Sequence, residues 1–447
     1  MDTRCAFIVA SALVGVSCFA VEPLPTCDVS DGLVAPYHVC MPRSAASLPL
    51  DYAPRQLLAG NFDGESIDAD GDGAPDVDVV DDLALLIDES TIAVFSAPTP
   101  GGEQLALSGL LGGVSARIER MTAARFYGKA GRGQDLFAVT GPVQSAAGSL
   151  LGWTNQGPPT LFDAQANDIA EVGDSELCPI PTGVHAMYLP GELFAGGLLV
   201  ACSNDGPGVL AVTASAFLYQ NVDGALGPSA LPLLTKYAHL RAGAVAPLDG
   251  LGLDDIIFSF DAGEDDHLGV VLVGVTPSDV SIDEKKGEAL EVPLASGEVS
   301  ALIAVDLDED GDVDLAAVHP QAGVISIVRQ KRSEPLTFEA AETIPLGGFI
   351  DDVIVGDFSR DGRLDLAVAH AYADTGVSVI SFLIRQPDAL PGSTAYGFAP
   401  ATFGLGEITD LEPIDLDGDG WLDIAAAFKI GNKGSIEVYL NRSPAGE

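Results

Sequence analysis

Short apolar runs, separated by turns rich in glycine and aspartate, recur along almost the whole chain. Examples are Ile92–Phe95, Val324–Val328 and Ile436–Leu440. Runs of this length bounded by turn residues are typical of β-strands, whereas an amphipathic helix repeats its apolar residues every three or four positions over a longer stretch. Because the sequence has almost no such periodicity with helix caps, it predicts a nearly all-β protein.

The runs group into seven segments with one outline: an apolar strand, a Gly/Asp turn, a second apolar strand and further strands. The residue that opens the second strand recurs about every 58 residues between Asp135 and Asp423. A repeat of this size with four short strands is typical of one blade of a β-propeller. The openings are residue 76 or 82 (the sequence leaves both possible), Asp135, about residue 197, Asp255, Asp314, Asp365 and Asp423.

The two ends of the chain complement each other in this pattern. The last segment stops after SIEVYLN, one strand short of a blade, and the stretch 48–55 can supply the missing strand. Such pairing would close the ring and remove an exposed sheet edge. The sequence therefore predicts one seven-bladed β-propeller of four-stranded blades over residues 47–441, closed between its N- and C-terminal strands, with no second domain.

Four of the turns carry aspartates at alternate positions. In IDLDGDGWLD, Asp415, Asp417, Asp419 and Asp423 take positions 1, 3, 5 and 9 of the loop, and Gly420 takes position 6. Calcium binds about six to eight oxygen ligands, which a tight turn of this kind can present. The alternative is an acidic turn stabilised only by its own side chain to backbone hydrogen bonds.

The cassettes at 306–318, 357–370 and 415–428 each contain Asp-Leu-Ala or Asp-Ile-Ala, and they resemble the FG-GAP/VCBS repeats of integrin α-chain propellers and many secreted bacterial proteins. The resemblance covers about residues 46–441 and is weak in segments two to four. It implies three or four structural calcium ions, held between the first and second strands of a blade. The implied side-chain ligands are Asp68, Asp70, Asp72, Asp76, Asp306, Asp308, Asp310, Asp314, Asp357, Ser359, Asp361, Asp365, Asp415, Asp417, Asp419 and Asp423, with the backbone carbonyls of Ala74, Asp312, Arg363 and Trp421.

The charge of the chain limits its partners. The 65 acidic and 21 basic residues give a formal net charge of −44, which argues against nucleic acid and anionic membranes as partners. With 47% apolar residues the composition is that of a globular protein and not of a disordered chain.

The N-terminal residues 1–20 resemble a secretory signal peptide: Arg4 precedes the apolar stretch Cys5–Val16, and cleavage is expected after Ala20. The alternative is a lipoprotein anchored through Cys18, although Gly15 stands where a lipid-attachment motif has a branched apolar residue. No later run is long enough to span a membrane. The other expected divisions are an N-terminal segment at 21–46 and a tail at 442–447.

Export implies an oxidising compartment in which cysteines pair. The four cysteines that remain after cleavage allow three pairings, of which the most local joins Cys27 to Cys40 and Cys178 to Cys202.

The sequence contains no catalytic motif, so we expect a non-enzymatic binding scaffold that is monomeric, secreted or surface-associated, with a protein or an extracellular glycan as partner. The alternative is a lyase-like propeller enzyme that acts on polysaccharide, which would need tyrosine, arginine and histidine together near the axis. His319 and His370 hold equivalent places in adjacent segments and are candidates for a shared site. A partner is expected at the end of the ring opposite the Asp loops, on Asp261–His267, His319–Ala322 and His370–Thr375.

Overall fold

The structure is a computed structural model of residues 1–447. The residues that it describes are 4–8, 15–19, 39–41, 48–64, 66–67, 77–78, 81–97, 104–112, 114–127, 133–141, 148–158, 161–163, 167–171, 180–188, 195–203, 216–222, 225–226, 231–233, 240–248, 254–261, 266–276, 279–283, 290–295, 297–331, 336–372, 378–385, 396–403 and 406–443. None of these residues is helical, which confirms the all-β prediction.

The strands of the first half of the chain are, in order, β1 (Arg4–Ile8), β2 (Gly15–Phe19), β3 (Leu48–Leu50), β4 (Gln56–Gly60), β5 (Ser66–Ile67), β6 (Val77–Asp78), β7 (Asp82–Leu86), β8 (Ile92–Ser96), β9 (Ala106–Leu111), β10 (Ile118–Ala124), β11 (Asp135–Thr140), β12 (Ser149–Trp153), β13 (Asn167–Glu171), β14 (Ile180–Tyr188), β15 (Ala195–Ser203), β16 (Ala216–Val222), β17 (Ala225–Leu226) and β18 (Leu231–Leu233).

The strands of the second half are β19 (Leu240–Ala246), β20 (Asp255–Asp261), β21 (Asp266–Thr276), β22 (Asp279–Asp283), β23 (Leu290–Pro293), β24 (Ala301–Val305), β25 (Asp314–His319), β26 (Val324–Val328), β27 (Glu342–Pro345), β28 (Gly348–Gly356), β29 (Asp365–Tyr372), β30 (Ser378–Arg385), β31 (Tyr396–Phe403), β32 (Glu407–Ile414), β33 (Asp423–Ile430) and β34 (Lys433–Tyr439).

Among the described residues, seven antiparallel sheets of four or five strands follow one another along the chain. We number them one to seven; their first strands are β4, β10, β14, β19, β24, β28 and β32. Most paired strands are neighbours in sequence, so local turns set much of the register. The exceptions among the described strands are β3 with β34, β4 with β7, β16 with β18 and β21 with β23. Two small additional sheets pair β1 with β2 and β5 with β6.

Sheet seven contains strands from both ends of the chain. Its order is β3-β34-β33-β32, and Leu48 and Leu50 lie opposite Ile436 and Gly434. The stretch 48–55 therefore supplies the fourth strand of the last segment, as the sequence predicts. The segment before it also packs here: Val39 and Met41 join the core between sheets six and seven.

The cores lie between consecutive sheets and not within one of them. One cluster joins Leu85 of sheet one to Ile436 of sheet seven, and another joins Leu86 of sheet one to Leu136 of sheet two. Every residue of the second strands β7, β11 and β25 is buried because sheets cover both faces of these strands. This explains why their sequences are continuous apolar runs and do not alternate with polar residues.

The first strands of all seven sheets line one cavity of about 680 Å³, which we call the axial cavity. Polar side chains of the first strands connect neighbouring sheets. Gln56 in β4 donates to the carbonyl of Met121 in β10 (3.2 Å) and accepts from its N–H (2.9 Å). Two carboxylates make related bonds: Asp352 of β28 accepts from the N–H of Leu411 in β32, and Asp410 of β32 accepts from the N–H of Leu57 in β4.

Two cysteines of the described part of the chain, Cys40 and Cys202, are disulfide-bonded. Cys27 and Cys178, their most local partners by sequence, lie outside the described residues. The backbone around Cys40 is held by the C-terminal segment, because the Arg442 N–H donates to the Cys40 carbonyl at 2.7 Å and the Cys40 N–H donates to Ser443 Oγ at 2.9 Å.

We expect Gln56→Leu to lower the free energy of unfolding by about 1–3 kcal/mol, since it leaves both backbone groups of Met121 without this partner at an interface between sheets. Urea unfolding followed by tryptophan fluorescence measures the change. Gln156→Leu is the control, because Gln156 is exposed and bonds only within its own turn; it should change stability by less than about 0.5 kcal/mol. Equal effects of the two substitutions on stability would contradict the role of Gln56 in joining sheets one and two.

Candidate metal centres

The aspartate that opens the second strand of a sheet joins three strand ends. In sheet five, Asp314 Oδ2 accepts from the N–H groups of Leu307 (3.1 Å) and Asp308 (3.2 Å), which follow β24. Its Oδ1 accepts from the N–H of Gln330 (2.9 Å), just after β26. Because Asp314 is fully buried, this carboxylate satisfies three backbone donors that have little access to water.

The same arrangement recurs in other sheets. Asp365 and Asp423 each accept from an N–H of the turn after the first strand and from an N–H at the end of the third strand, with N···O distances of 2.6–3.0 Å. Asp135 in sheet two does so as well, accepting from Phe126, Tyr127 and Asn155. The turn of sheet two has no aspartate at positions 1, 3 or 5. The hydrogen bonds of Asp135 therefore do not depend on neighbouring aspartates. The sequence indicated these positions as the openings of second strands, and Asp314, Asp365 and Asp423 also as ligands, but not as acceptors for the backbone. The presence of Asp135 in a turn without other acids is a signal of this structural role.

Three loops fold around their first aspartate. Asp306 accepts from the N–H groups of Asp310 (3.1 Å) and Gly311 (2.9 Å). Asp357 and Asp415 make the equivalent two bonds at 2.9–3.1 Å. The glycine at position 6 has a positive φ in each loop, +99° at Gly311, +82° at Gly362 and +82° at Gly420, which a residue with a Cβ rarely adopts.

This folding brings carboxylates at positions 1, 3 and 9 together. The ligand atoms of Asp306, Asp308 and Asp314 lie within 4.8 Å of one another, and so do those of Asp415, Asp417 and Asp423. The position-5 side chains instead bond within the turn, as Asp310, Asp361 and Asp419 each accept from the N–H two residues later. The structure thus groups three of the four predicted side-chain ligands in loops five and seven.

Mutual repulsion and burial make these sites electrostatically costly without a cation. Burial raises the pKa of Asp314 and of Asp423 to about 7, and that of Asp365 to about 6. Burial and the neighbouring aspartates also raise the pKa values of Asp308 and Asp415. A cation at either trio would reverse this balance by favouring the ionised carboxylates.

The donor set fits calcium. All of the side-chain ligands are oxygens, the hard donors that calcium prefers. At position 3 of loops six and seven, Ser359 Oγ and Asp417 Oδ1 are buried and accept no hydrogen bond within the described structure, so each has lone pairs available for a metal. The backbone carbonyls predicted as ligands belong to Asp312, Arg363 and Trp421, at position 7 of these three loops.

Arginines surround the seventh loop. Arg442 contacts Asp417 Oδ2 at 2.6 Å and Asp419 Oδ2 at 3.7 Å, while Arg360 lies 4.3 Å above the Trp421 ring and 3.6 Å from Asp419. These guanidinium groups supply part of the positive charge that the acidic loop needs, a contribution that the sequence pattern did not reveal.

The first loop differs from the pattern that the sequence suggested. Asp82, and not Asp76, opens the second strand: it pairs with Gly60 and accepts from the N–H groups of Phe62 and Asp63. Asp63, Asp81 and Asp82 form a further trio within 4.8 Å. The predicted ligands Asp68, Asp70, Asp72, Ala74 and Asp76 lie outside the described residues.

The two histidines singled out by the sequence are buried separately. His319 Nε2 lies 3.0 Å from Ser326 Oγ, and His370 Nε2 lies 2.8 Å from Ser381 Oγ. Each histidine therefore bonds to a serine on the next strand of its own sheet, which is a structural role.

Comparisons with known proteins agree with the loop geometry. Residues 306–368, which contain loops five and six, match the family model of the FG-GAP-like repeat. This confirms the resemblance seen in the sequence, and this part of the chain is an FG-GAP-like repeat. No curated protein matches the chain. A solved structure described as the Dos1 propeller is similar over 87% of this chain and 77% of that chain, with 6% identity and a TM-score of 0.48.

In a chelator, we expect the free energy of unfolding to fall as the pH rises from about 5 to about 8. The pKa values of three carboxyl groups are near 7 in the folded protein, compared with 3.8 for the unfolded reference: Asp82, Asp314 and Asp423. Between pH 3.8 and about pH 7, folding is therefore accompanied by proton uptake. Their contribution is complete below about pH 4 and is lost as the pH passes about 7. Chelator-containing urea titrations at several pH values measure the slope; a slope of the opposite sign would contradict these shifts.

Asp135→Ala should destabilise the protein by about 3 kcal/mol or more, because three N–H groups, two of them buried and one partly buried, lose their acceptor. Chemical unfolding measures the effect, which should be the same in calcium and in chelator. Asp51→Ala provides the control, since Asp51 is exposed and pairs only with exposed Lys433. If calcium abolished the loss of stability caused by Asp135→Ala, Asp135 would instead be a metal ligand.

Proposed function

We propose that the chain is a secreted or surface-associated, calcium-stabilised β-propeller of seven blades that serves as a binding scaffold. The observation that carries the calcium assignment is the geometry of loops five and seven, in which one aspartate organises the turn and carboxylates converge at positions 1, 3 and 9. Loop six shares the turn around its first aspartate. Calcium would be held by these oxygens and would fix the first two strands of the blade against each other.

The arrangement of the sheets supports the closed ring. Sheets seven and one share a core, β3 pairs with β34, and the first strands of all seven sheets line one cavity. In the proposed ring each sheet is a blade, its first strand is innermost, and the N-terminal strand completes the last blade.

The scaffold role is supported by exposed apolar side chains at the end opposite the Asp loops. Phe349 and Tyr372 lie at the far end of β28 and β29, and Ile430 lies at the far end of β33. Tyr52, 59% exposed, is close by, because its carbonyl is next to Gly434 in the β33–β34 hairpin. We define these four residues as the apolar patch. Within the predicted docking loops His319 and His370 point inward, so the patch replaces them as the proposed contact surface.

Export rests on the signal-like residues 1–20 and the cysteines, with anchoring through Cys18 as the alternative. Within the part of the chain that the structure describes, no helix is long and apolar enough to cross a membrane. FG-GAP-like repeats are typical of extracellular proteins, which favours the same localisation. The partner that we propose is a protein or an extracellular glycan.

The enzymatic alternative has partial support from the axial cavity. Arg120 and His185 both line it, whereas its described lining includes no tyrosine. Burial lowers the pKa of His185 to about 4, so its imidazole is neutral at physiological pH. We therefore propose a non-catalytic protein.

Calcium should raise the melting temperature, and Asp308→Ala should remove part of this increase, since position 3 of loop five loses its carboxylate. A site filled at 100 times its Kd stabilises the folded state by about 2.7 kcal/mol. Melting in calcium and in chelator measures the effect. Asp163→Ala, at an exposed position outside the loops, should keep the full calcium dependence. If wild type melts identically with calcium and with chelator, the loops are acidic turns only.

Replacing Phe349 and Tyr372 by serine should weaken partner binding at least tenfold, because exposed aromatic side chains are common anchors of interfaces. Partners captured from extracellular fractions by the mature protein would be retested individually by biolayer interferometry. Replacement of Leu107 and Leu110, which are 55% and 53% exposed on β9, is the matched control. Partners that bind both variants as tightly as wild type would exclude the apolar patch.

A further inference from the structure

The axial cavity has two chemically different walls. The acid wall consists of four carboxyl side chains from the first strands of sheets six and seven: Asp351, Asp352, Asp410 and Glu412. The basic wall consists of Arg55, directly before the first strand of sheet one, and Arg120 in sheet two, with the neutral His185 of sheet three lining the same cavity. A cavity with separated charges of opposite sign favours a ligand that carries both signs.

The two walls face each other if the sheets are arranged in the ring proposed above. In a ring of seven, strands three places apart lie on opposite sides of the axis, which places β10 opposite β28 and β14 opposite β32. The electrostatics agree with this placement. Burial raises the pKa of Asp352, and the charge of Arg120 partly offsets that shift; the same charge adds to the burial that lowers the pKa of His185.

Arg120 has its charge available for a ligand. Its guanidinium donates to the carbonyl of Glu119 at 3.3 Å, and no carboxylate among the described residues lies within ion-pair distance of it. Arg55, by contrast, is engaged by the Ile118 carbonyl at 3.0 Å and by Glu119 at 3.9 Å. Arg120 is thus the group in the basic wall to which a ligand carboxylate would bind.

The acid wall holds protons that a cation can displace. Burial raises the pKa of Asp351 to about 6 and that of Glu412 to about 8. Asp352 and Asp410 bond to each other, and burial raises both of their pKa values. An ammonium group here would favour the ionised carboxylates, so its binding would release protons.

The size of the cavity limits the ligand. About 680 Å³ is within the usual range of small-molecule sites, and a sphere of that volume is about 11 Å across. A fully extended tripeptide spans about 10 Å between its termini. Met121, Leu199, Phe258 and Leu302 are among the apolar residues of the lining, and each is at most 8% exposed, so the polar side chains provide most of the accessible contacts.

We propose that the axial cavity binds a short zwitterionic peptide of about three residues, with its carboxylate on Arg120 and its ammonium on the acid wall. This goes beyond the scaffold function and depends on the proposed order of the sheets around the axis, but not on calcium or on the apolar patch.

The test is isothermal titration calorimetry of the mature protein with trialanine, N-acetyl-trialanine and trialanine amide. Trialanine should bind saturably, and each cap should weaken binding at least about tenfold, since it removes one of the two charges. Arg120→Gln should weaken trialanine similarly and should no longer distinguish the acid from the amide. Asp351→Asn should reduce the discrimination against the N-acetyl peptide; Asp351 suits this test because it lines the cavity without a hydrogen bond between sheets among the described contacts.

Arg117→Gln is the matched control, because Arg117 is three residues from Arg120, is exposed and does not line the cavity. Its trialanine affinity should equal that of wild type, and melting temperatures should show that all variants are folded. Trialanine affinity should also increase from about pH 5 to about pH 7, below the α-amino pKa of about 8 at which the peptide loses its ammonium charge. Because binding releases protons, the measured heat should differ between buffers. The proposal is overturned if trialanine does not bind, if both caps leave its affinity unchanged, or if folded Arg120→Gln binds like wild type.

Discussion

The structure depends on a buried carboxylate at the start of the second strand of a sheet. The four aspartates share one set of partners: each accepts hydrogen bonds from the turn after the first strand and from the end of the third strand, as seen at Asp135, Asp314, Asp365 and Asp423. One side chain therefore fixes the register of three strands. An aspartate is suited to this task because it is short, offers two acceptor oxygens and lacks a donor that would itself need a partner when buried. The cost is a buried acid, visible in the raised pKa values of Asp314 and Asp423.

Further acids in the same turns add to that cost. The carboxylate at position 9 lies beside positions 1 and 3 in loops five and seven, so two further aspartates there form a trio of carboxylates that repel one another. Where the turn has lost those acids, as in sheet two, the opening aspartate keeps its backbone partners. The hydrogen-bonding role is therefore the one that these four turns share, whereas the carboxylate trio at positions 1, 3 and 9 occurs in loops five and seven. Loop seven shows a third solution, in which Arg442 and Arg360 bring positive charge to the acidic turn.

Polar side chains of the first strands also satisfy backbone groups, in this case those of the neighbouring sheet. Their inner positions border the axial cavity, where large apolar groups cannot be fully covered, so polar side chains are tolerated if they find backbone partners. Gln56, Asp352 and Asp410 each bond to the backbone of the next sheet. As a result, the carboxyl groups that line the cavity come from sheets six and seven, whereas Arg120 comes from sheet two.

The sequence by itself determined the class of fold and the repeated unit. Apolar runs and Gly/Asp turns predicted an all-β chain, and the spacing of aspartates located loops five to seven. The missing strand of the last segment was traced to the stretch 48–55. These features could be predicted because strand period and turn chemistry are local properties of the sequence. Tertiary structure decided the rest. Whether Asp76 or Asp82 opens a strand depends on pairing with β4 across a long insertion, and whether His319 and His370 face outward depends on serines in the neighbouring strand. The axial cavity combines side chains from first strands that are hundreds of residues apart in the sequence, such as Arg120 and Asp410, so no local pattern could have brought them together.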